Sequence, residues 1–170
     1  MKRVFVDLDK CLGCYSCIIA CAVEHSLSKD LFKAIQETPL PKPRIEVKTV
    51  KGGNGFPLQC RHCEEPYCVD ACIAGAIRKD PETGLVLADE KKCIGCWMCV
   101  MACPFGVIRP SLLPGKKEKI AVRCDLCQDR ETPACVEACH TGALFFGEVE
   151  EFKKAVSKSK EDRNALLNSG

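Results

Sequence analysis

Cysteine is the residue that most constrains what this chain can fold into. Sixteen of its 170 residues are cysteine, and they form four compact groups. The groups are Cys11, Cys14, Cys17 and Cys21; Cys60, Cys63, Cys68 and Cys72; Cys93, Cys96, Cys99 and Cys103; and Cys124, Cys127, Cys135 and Cys139. So many thiols in so short a chain must be bound to something.

The spacing within each group predicts iron–sulfur ligation. The first and third groups read C-x2-C-x2-C-x3-C, and in the second and fourth only the middle gap is longer. This is the spacing of cysteine ligands to cubane clusters. Sixteen thiolates supply four [4Fe-4S] clusters with none left over, so we expect all sixteen cysteines to be iron ligands.

Zinc is the main alternative, because paired C-x2-C motifs also bind zinc, and Cys124 with Cys127 alone would suit a zinc ribbon. Zinc sites need two such pairs for each ion, which makes the runs of three cysteines geometrically awkward. A cluster with four thiolate ligands has no open iron for a substrate. The sequence therefore predicts no catalytic residue and no enzyme activity of the chain's own.

Composition and charge limit the classes of partner that the protein can bind. Aromatic residues make up only 6% of the chain, so the organic core should be thin, and cluster insertion should be linked to folding. Counting sixteen thiolates and four oxidised cluster cores turns the formal charge of +2 into about −6. This argues against nucleic acid as a partner. Apolar stretches are too short to cross a bilayer, so we expect a cytoplasmic protein without direct membrane insertion.

The groups belong to a repeated unit. Gly75, Gly106 and Gly142 each lie three residues beyond the last cysteine of a group. We expect a short helix carrying the fourth cysteine, a left-handed glycine and then an apolar strand. Strands are also expected at 4–6 and 120–122. A hairpin should consist of residues 77–80, a turn at 81–84 and residues 85–88.

The first group departs from the repeat. We interpret residues 22–59 as an insertion with a surface helix at 29–37, a proline-rich turn, a strand at 45–50 and a glycine-rich loop at 52–55. Residues 110–119 are expected to be a linker. The apolar pattern from residue 149 to 167 predicts an outer C-terminal helix.

Each cysteine group must share its clusters with a second group. In C-x2-C-x2-C-x3-C the fourth cysteine lies one helical turn beyond the third, so it is better placed to bind a second cluster. Pairing the first group with the fourth and the second with the third would nest one module in another. Pairing neighbours is the alternative, and the spacing alone does not distinguish the two schemes.

The order of these four motifs, with Cys60-Arg61-His62-Cys63-Glu64-Glu65-Pro66 inside it, resembles the four-cluster iron–sulfur subunits of the dimethyl sulfoxide reductase family. The resemblance implies an α+β fold of two ferredoxin-like, βαβ-derived modules, one nested in the other. The first module would comprise 1–50 and 111–148, with the insertion at 22–59, and the second 51–110. Residues 149–170 would form the C-terminal helix.

The resemblance also implies the ligand sets. They are Cys11, Cys14, Cys17 and Cys139 for cluster 1; Cys21, Cys124, Cys127 and Cys135 for cluster 2; Cys60, Cys63, Cys68 and Cys103 for cluster 3; and Cys72, Cys93, Cys96 and Cys99 for cluster 4. The third group keeps all four of its cysteines, because Trp97 follows Cys96 and does not replace it.

The resemblance further implies that the protein is a non-catalytic electron-transfer subunit. Residues 22–26 look most like the small ferredoxin subunit that serves carbon monoxide dehydrogenase. The expected partner is a catalytic subunit of that type, or of the tungsten or molybdenum pterin (aldehyde oxidoreductase or formate dehydrogenase) or hydrogenase type, with a flavin subunit as a further candidate. A redox sensor, a scaffold and a self-associating electron wire are the alternatives.

The remaining polar and aromatic candidates have simpler interpretations. Every iron already has a thiolate, so His25, His62 and His140 are expected to be ordinary polar residues, with His62 the best candidate for a contact to a cluster ligand. Tyr15, Tyr67 and Trp97 are expected to cover the clusters.

Overall fold

Short strands paired in twos organise the protein in the computed structural model, which describes residues 1–49 and 55–168, with backbone only for 162–168. The strands are β1 (Arg3–Val6), β2 (Glu46–Thr49), β3 (Gly55–Leu58), β4 (Ile77–Lys79), β5 (Val86–Ala88), β6 (Arg109–Ser111), β7 (Ile120–Val122) and β8 (Leu144–Gly147). The helices are α1 (Ser16–Glu24), α2 (Leu31–Ala34), α3 (Tyr67–Asp70), α4 (Met98–Ala102), α5 (Ala134–Glu137) and α6 (Val149–Asn168).

One of the strand pairs joins the two ends of the sequence. β1 runs antiparallel to β8, with Arg3 opposite Gly147 and Val6 opposite Leu144. The other antiparallel pairs are β2 with β3, β4 with β5 and β6 with β7. Helix α1 packs on α5, and α3 packs on α4. The first cysteine group therefore lies beside the fourth, and the second beside the third.

The core consists of two small clusters of buried residues in which cysteine is prominent. The first contains Cys17, Cys21, Ile45, Val47, Cys135 and Leu144. The second contains Ile77, Val86, Cys99, Ile108 and Ala121. Aliphatic side chains of the strands cover the thiols in both, which is the thin core expected from the composition.

The repeated unit is present with one correction. Gly75, Gly106 and Gly142 have φ values of 58°, 60° and 65°, so the left-handed stop after each helix is confirmed. The helices α3, α4 and α5 carry the third cysteine of their groups, and the fourth lies just beyond the helix end. Our placement of the fourth cysteine within the helix was wrong there and holds only for Cys21 in α1.

The insertion is more extended than the sequence predicted. Its helix is the single turn α2, capped by the Asp30 side chain, which accepts a hydrogen bond from the backbone N–H of Lys33. The expected strand at 45–50 is β2, and β3, which sequence reasoning missed, pairs with it. Residues 50–54 of the expected strand and glycine loop lie outside the described residues.

The expected linker at 110–119 is in part a strand. Pro110 and Ser111 belong to β6, which pairs with β7. Residues 112–119 therefore form the loop of a hairpin. The predicted strands at 4–6 and 120–122 and the hairpin at 77–88 are confirmed.

The outer helix α6 is held by aromatic contacts. Phe152 stacks on Phe5 of β1 with ring centroids 5.0 Å apart and lies 5.9 Å from the ring of Phe145 in β8. The helix therefore covers the strand pair that joins the ends of the sequence. In the described ranges, 1–49 and 55–168, we find no helix with the length and apolar character needed to cross a bilayer.

Replacing Phe152 with alanine should destabilise the cluster-loaded protein by about 1 to 3 kcal/mol, because two ring contacts over β1 and β8 are lost. The thermal midpoint, followed anaerobically by circular dichroism, should fall by several degrees. Lys154→Ala, an exposed change on the same helix, is the control. Equal midpoints for the two variants would contradict this role of α6.

Candidate iron–sulfur centre

The four C-x2-C loops share one backbone feature. The residue before the second cysteine has a positive φ in every group: 66° at Gly13, 47° at His62, 68° at Gly95 and 61° at Leu126. Glycine adopts this conformation at little cost, whereas a side chain is strained by it. The fourfold repeat is thus a property of the backbone, even where the sequence has no glycine.

Two aromatic residues mark the start of the helices that follow. Tyr15 precedes α1 and Trp97 precedes α4, and both have left-handed backbones, with φ values of 63° and 65°. Each side chain lies beside the cysteines of its own group. Tyr15 is nevertheless 45% exposed and Tyr67 60% exposed, so cover of the clusters by the aromatic residues stays a prediction.

Two cavities are each lined by four cysteines. One is lined by Cys11, Cys14, Cys17 and Cys139, together with Gly13 and Tyr15. The other is lined by Cys72, Cys93, Cys96 and Cys99, together with Trp97. In each cavity three cysteines come from one group and the fourth from another, which is how two-cluster ferredoxins distribute their ligands.

The other eight cysteines influence one another electrostatically. Burial raises the pKa of Cys135, and the neighbouring Cys21 and Cys127 raise it further. Burial likewise raises the pKa of Cys124, with Cys135 and Cys21 adding to it. Among the others, Cys103 and Cys63 act on Cys68, and Cys68 and Cys63 act on Cys60.

Burial raises the pKa of several of these thiols. Burial raises the pKa of Cys17 to about 11, and the nearby Cys139 and Cys14 add to the shift. Burial also raises the pKa of Cys127 to about 11. Such thiols stay protonated at neutral pH unless a cation replaces the proton, and iron ligation does so. The donor set therefore fits a metal cluster.

Backbone N–H groups approach several of the sulfurs. The amide of Arg44 donates to Cys21 Sγ at 3.1 Å, that of Leu144 to Cys139 Sγ at 3.3 Å and that of Ala121 to Cys93 Sγ at 3.5 Å. Such bonds stabilise negative charge on sulfur. Strands β7 and β8 thus donate hydrogen bonds to the cysteine sulfurs and also contribute side chains to the core.

Exposure differs sharply among the sixteen. Cys14 and Cys96 are exposed, while the others are buried or half-buried. The two occupy the same position in the two regular groups. Exposed apolar side chains lie close to each in sequence, with Leu12 70% exposed before Cys14 and Ile94 62% exposed before Cys96.

A polar network ties the insertion to the fourth group. His25 Nε2 lies 3.2 Å from Asp125 Oδ1, and Arg44 Nη1 donates to Asp125 Oδ2 at 2.6 Å. Burial lowers the pKa of His25, but the hydrogen bonds to Asp125 and Cys21 outweigh it and raise the pKa to about 9. His25 thus bridges Asp125 and Cys21, and His140 is exposed.

Sequence reasoning missed two further residues. Asp125 lies between two predicted ligands and anchors the network above, while Arg123 is buried against the second group. Their only signal in the sequence is adjacency to Cys124, which says nothing about burial.

These features define an iron–sulfur protein. Residues 53–149 match the 4Fe-4S dicluster domain family, and residues 8–24 match a 4Fe-4S binding domain. The protein belongs to the 4Fe-4S dicluster family, and its sixteen cysteines fit four [4Fe-4S] clusters.

Similar proteins carry related descriptions. The electron transport protein HydN of Escherichia coli is 37% identical over 98% of both sequences. An iron-sulfur protein of Rhodospirillum rubrum is 37% identical over 92% of this protein and 87% of its own length. One subunit of the anaerobic dimethyl sulfoxide reductase of E. coli is 37% identical over 88% of this protein and 75% of its own length. The resemblance to the dimethyl sulfoxide reductase iron–sulfur subunits is thereby confirmed.

Gly55, at the start of β3, leaves no space for a side chain. A Cβ there would lie 2.7 Å from Gly13 Cα and 2.8 Å from Cys11 Sγ. Gly55→Ala should therefore displace the first cysteine loop and lower the iron content by about a quarter, the share of one cluster in four. Iron per polypeptide measures this.

Thr49→Ala is the matched control, because Thr49 lies opposite Gly55 in the hairpin and is exposed. Full iron content in Gly55→Ala would show that β3 does not constrain the Cys11 loop.

Proposed function

We propose that this protein relays single electrons between a catalytic oxidoreductase subunit and an acceptor through four [4Fe-4S] clusters. The observation that carries the proposal is that two cavities are each lined by four cysteines, three from one group and one from another. The names of the relatives, an electron transport protein and a reductase subunit among them, support it. Thiolates that fill every iron position leave the protein to conduct electrons and not to bind substrate.

The ligand sets implied by the family resemblance are the ones we propose. Clusters 1 and 4 would occupy the two cysteine-lined cavities, with Cys139 and Cys72 as the ligands from the partner group. Clusters 2 and 3 would take the sets that contain Cys124 and Cys60. When bound, the clusters supply one-electron redox chemistry, while the protein holds them apart from water and donates N–H groups to their sulfurs.

The nested arrangement of two modules is part of the proposal. The pairing of β1 with β8 and the packing of α1 on α5 support an outer module made from both ends of the sequence. The packing of α3 on α4 supports an inner module. Strand β6, at 109–111, spans the expected boundary at residue 110 and would link the two.

Electrons would enter and leave at clusters 1 and 4. Cys14 and Cys96 are the exposed ligands of these two sets, and tunnelling to a partner needs a cluster near the surface. Cys17 interacts with Cys135, and Cys99 with Cys68. Clusters 2 and 3 would therefore form the middle of the route.

The insertion would bind the catalytic subunit. Phe32 is 74% exposed and Ile35 63% exposed, and Leu27 and Leu31 of the same segment are exposed as well. These side chains lie on the segment that distinguishes the first unit from the other three. A partner of the carbon monoxide dehydrogenase, pterin enzyme or hydrogenase type, a flavin subunit and a cytoplasmic location stay predictions.

Iron and acid-labile sulfide analysis tests the cluster content. The anaerobically isolated protein should contain about sixteen of each per polypeptide. On full reduction it should show the paramagnetic signal of interacting centres. Zinc with little sulfide would contradict the proposal.

The double change Phe32→Ser and Ile35→Ser tests the docking surface. Losing two exposed apolar side chains should weaken binding of the co-purifying catalytic subunit at least about tenfold, since each buries apolar area in the complex. Iron content should not change. Lys33→Ser on the same helix is the control, and equal recovery of the complex from both variants would exclude this surface.

A further inference from the structure

Arg123 is a buried cation without a carboxylate bonded to it in the hydrogen-bond pattern of the described residues. It follows β7 directly, and its residue is 4% exposed. Nη1 donates to Cys68 Sγ at 3.3 Å. Nε and Nη2 have no hydrogen-bond partner in the described part of the protein. A guanidinium does not lose its proton in a protein, so burial of this charge requires an anion beside it.

His62 presents a second donor of the same kind. The residue is fully buried, and its Nδ1 accepts a hydrogen bond from the backbone N–H of Val86 at 3.1 Å. An accepting Nδ1 carries no proton, so the neutral ring carries its proton on Nε2. Nε2 has no hydrogen-bond partner within the described residues.

Both unsatisfied groups lie at the same cysteine set. His62 stands between Cys60 and Cys63 in sequence, and Arg123 contacts Cys68. Burial raises the pKa of Cys68, and the Arg123 guanidinium opposes that rise. At Cys99, in the adjacent set, burial raises the pKa and the neighbouring thiol Cys72 raises it further. A cation thus opposes the effect of burial at Cys68, whereas at Cys99 a neighbouring thiol adds to it.

We propose that Arg123 and His62 donate to the sulfurs of cluster 3, the cluster held by Cys60, Cys63, Cys68 and Cys103, and selectively raise its reduction potential. The inference rests on the ligand sets of the proposed function. A cube with four thiolates is a dianion when oxidised and a trianion when reduced, so a buried cation and an N–H donor stabilise the reduced form more.

The effect falls on the middle of the electron route. The electron gained by cluster 3 is the one that a neighbouring cluster or an external reductant loses, and Arg123 and His62 keep their protons throughout. Arg123 also precedes Cys124, a proposed ligand of cluster 2, so it lies at the junction between the two modules. Arg123 and His62 therefore make cluster 3 easier to reduce than it would be without them.

Potentiometric titration of the intact protein, followed by electron paramagnetic resonance, tests the proposal. Arg123→Gln should shift one of the four potentials to a more negative value and leave the other three in place. Arg123→Lys, which keeps the charge but loses the planar fork, should shift the same potential less. His62→Gln should also shift it. Arg78→Gln removes an exposed arginine and should shift none, because solvent screens that charge.

Iron content separates the possible outcomes. A parent protein with fewer than four clusters would contradict the proposed function itself. Variants with full iron content and parental potentials would overturn the role of Arg123 and His62 while leaving that function intact. Equal shifts of all four potentials would also overturn it.

A measurement without substitution covers the case in which no variant retains its clusters. In the reduced parent protein labelled with isotopically enriched histidine and arginine, pulsed resonance should detect nitrogen coupling to two clusters: cluster 3, through Arg123 and His62, and cluster 2, where the Arg44 amide and His25 lie beside Cys21 Sγ. Coupling that involves cluster 2 alone would overturn the proposal, as would coupling that persists unchanged in Arg123→Gln and His62→Gln where those variants retain their clusters.

Discussion

Buried thiols that raise one another's pKa are the constraint on which the rest of the structure depends. Around Cys135, burial and three neighbouring cysteines all disfavour the thiolate. Iron replaces the protons and turns this repulsion into bonding. Cysteines also belong to both small buried clusters, so the packing of each cluster depends in part on what its thiols bind. We therefore expect iron binding and folding to be coupled.

The local features were predictable from sequence because they depend on neighbouring residues. Cysteine spacing predicted the cofactor, and the glycine after each group predicted a left-handed stop that Gly75, Gly106 and Gly142 all show. β3 was missed because its strand pattern contains Pro57. The burial of Arg123 was missed because burial depends on what packs against a residue, which a single sequence does not display. The positive φ of Leu126 is likewise set by its loop and not by its residue type.

Polarity and exposure vary along the proposed route in a consistent way. The exposed cysteines belong to the terminal sets and stand among apolar surface residues, which suits contact with other subunits. The proposed central sets contain no exposed cysteine, and charged side chains lie beside them: Arg123 at Cys68, and the Arg44 and Asp125 pair near Cys21. On the proposed route, the terminal sets would thus serve recognition, and charged residues would act on the central ones.

The pairing of β1 with β8 also dictates the order in which the fold can close. Residues 3–6 are synthesised long before their partners at 144–147. The helices α3 and α4, by contrast, are separated by only a short stretch and can meet while synthesis continues. Contacts between distant segments form late. The pair of α3 and α4 is thus free to form on a growing polypeptide, whereas the pair of β1 and β8 must wait until residues 144–147 have been made.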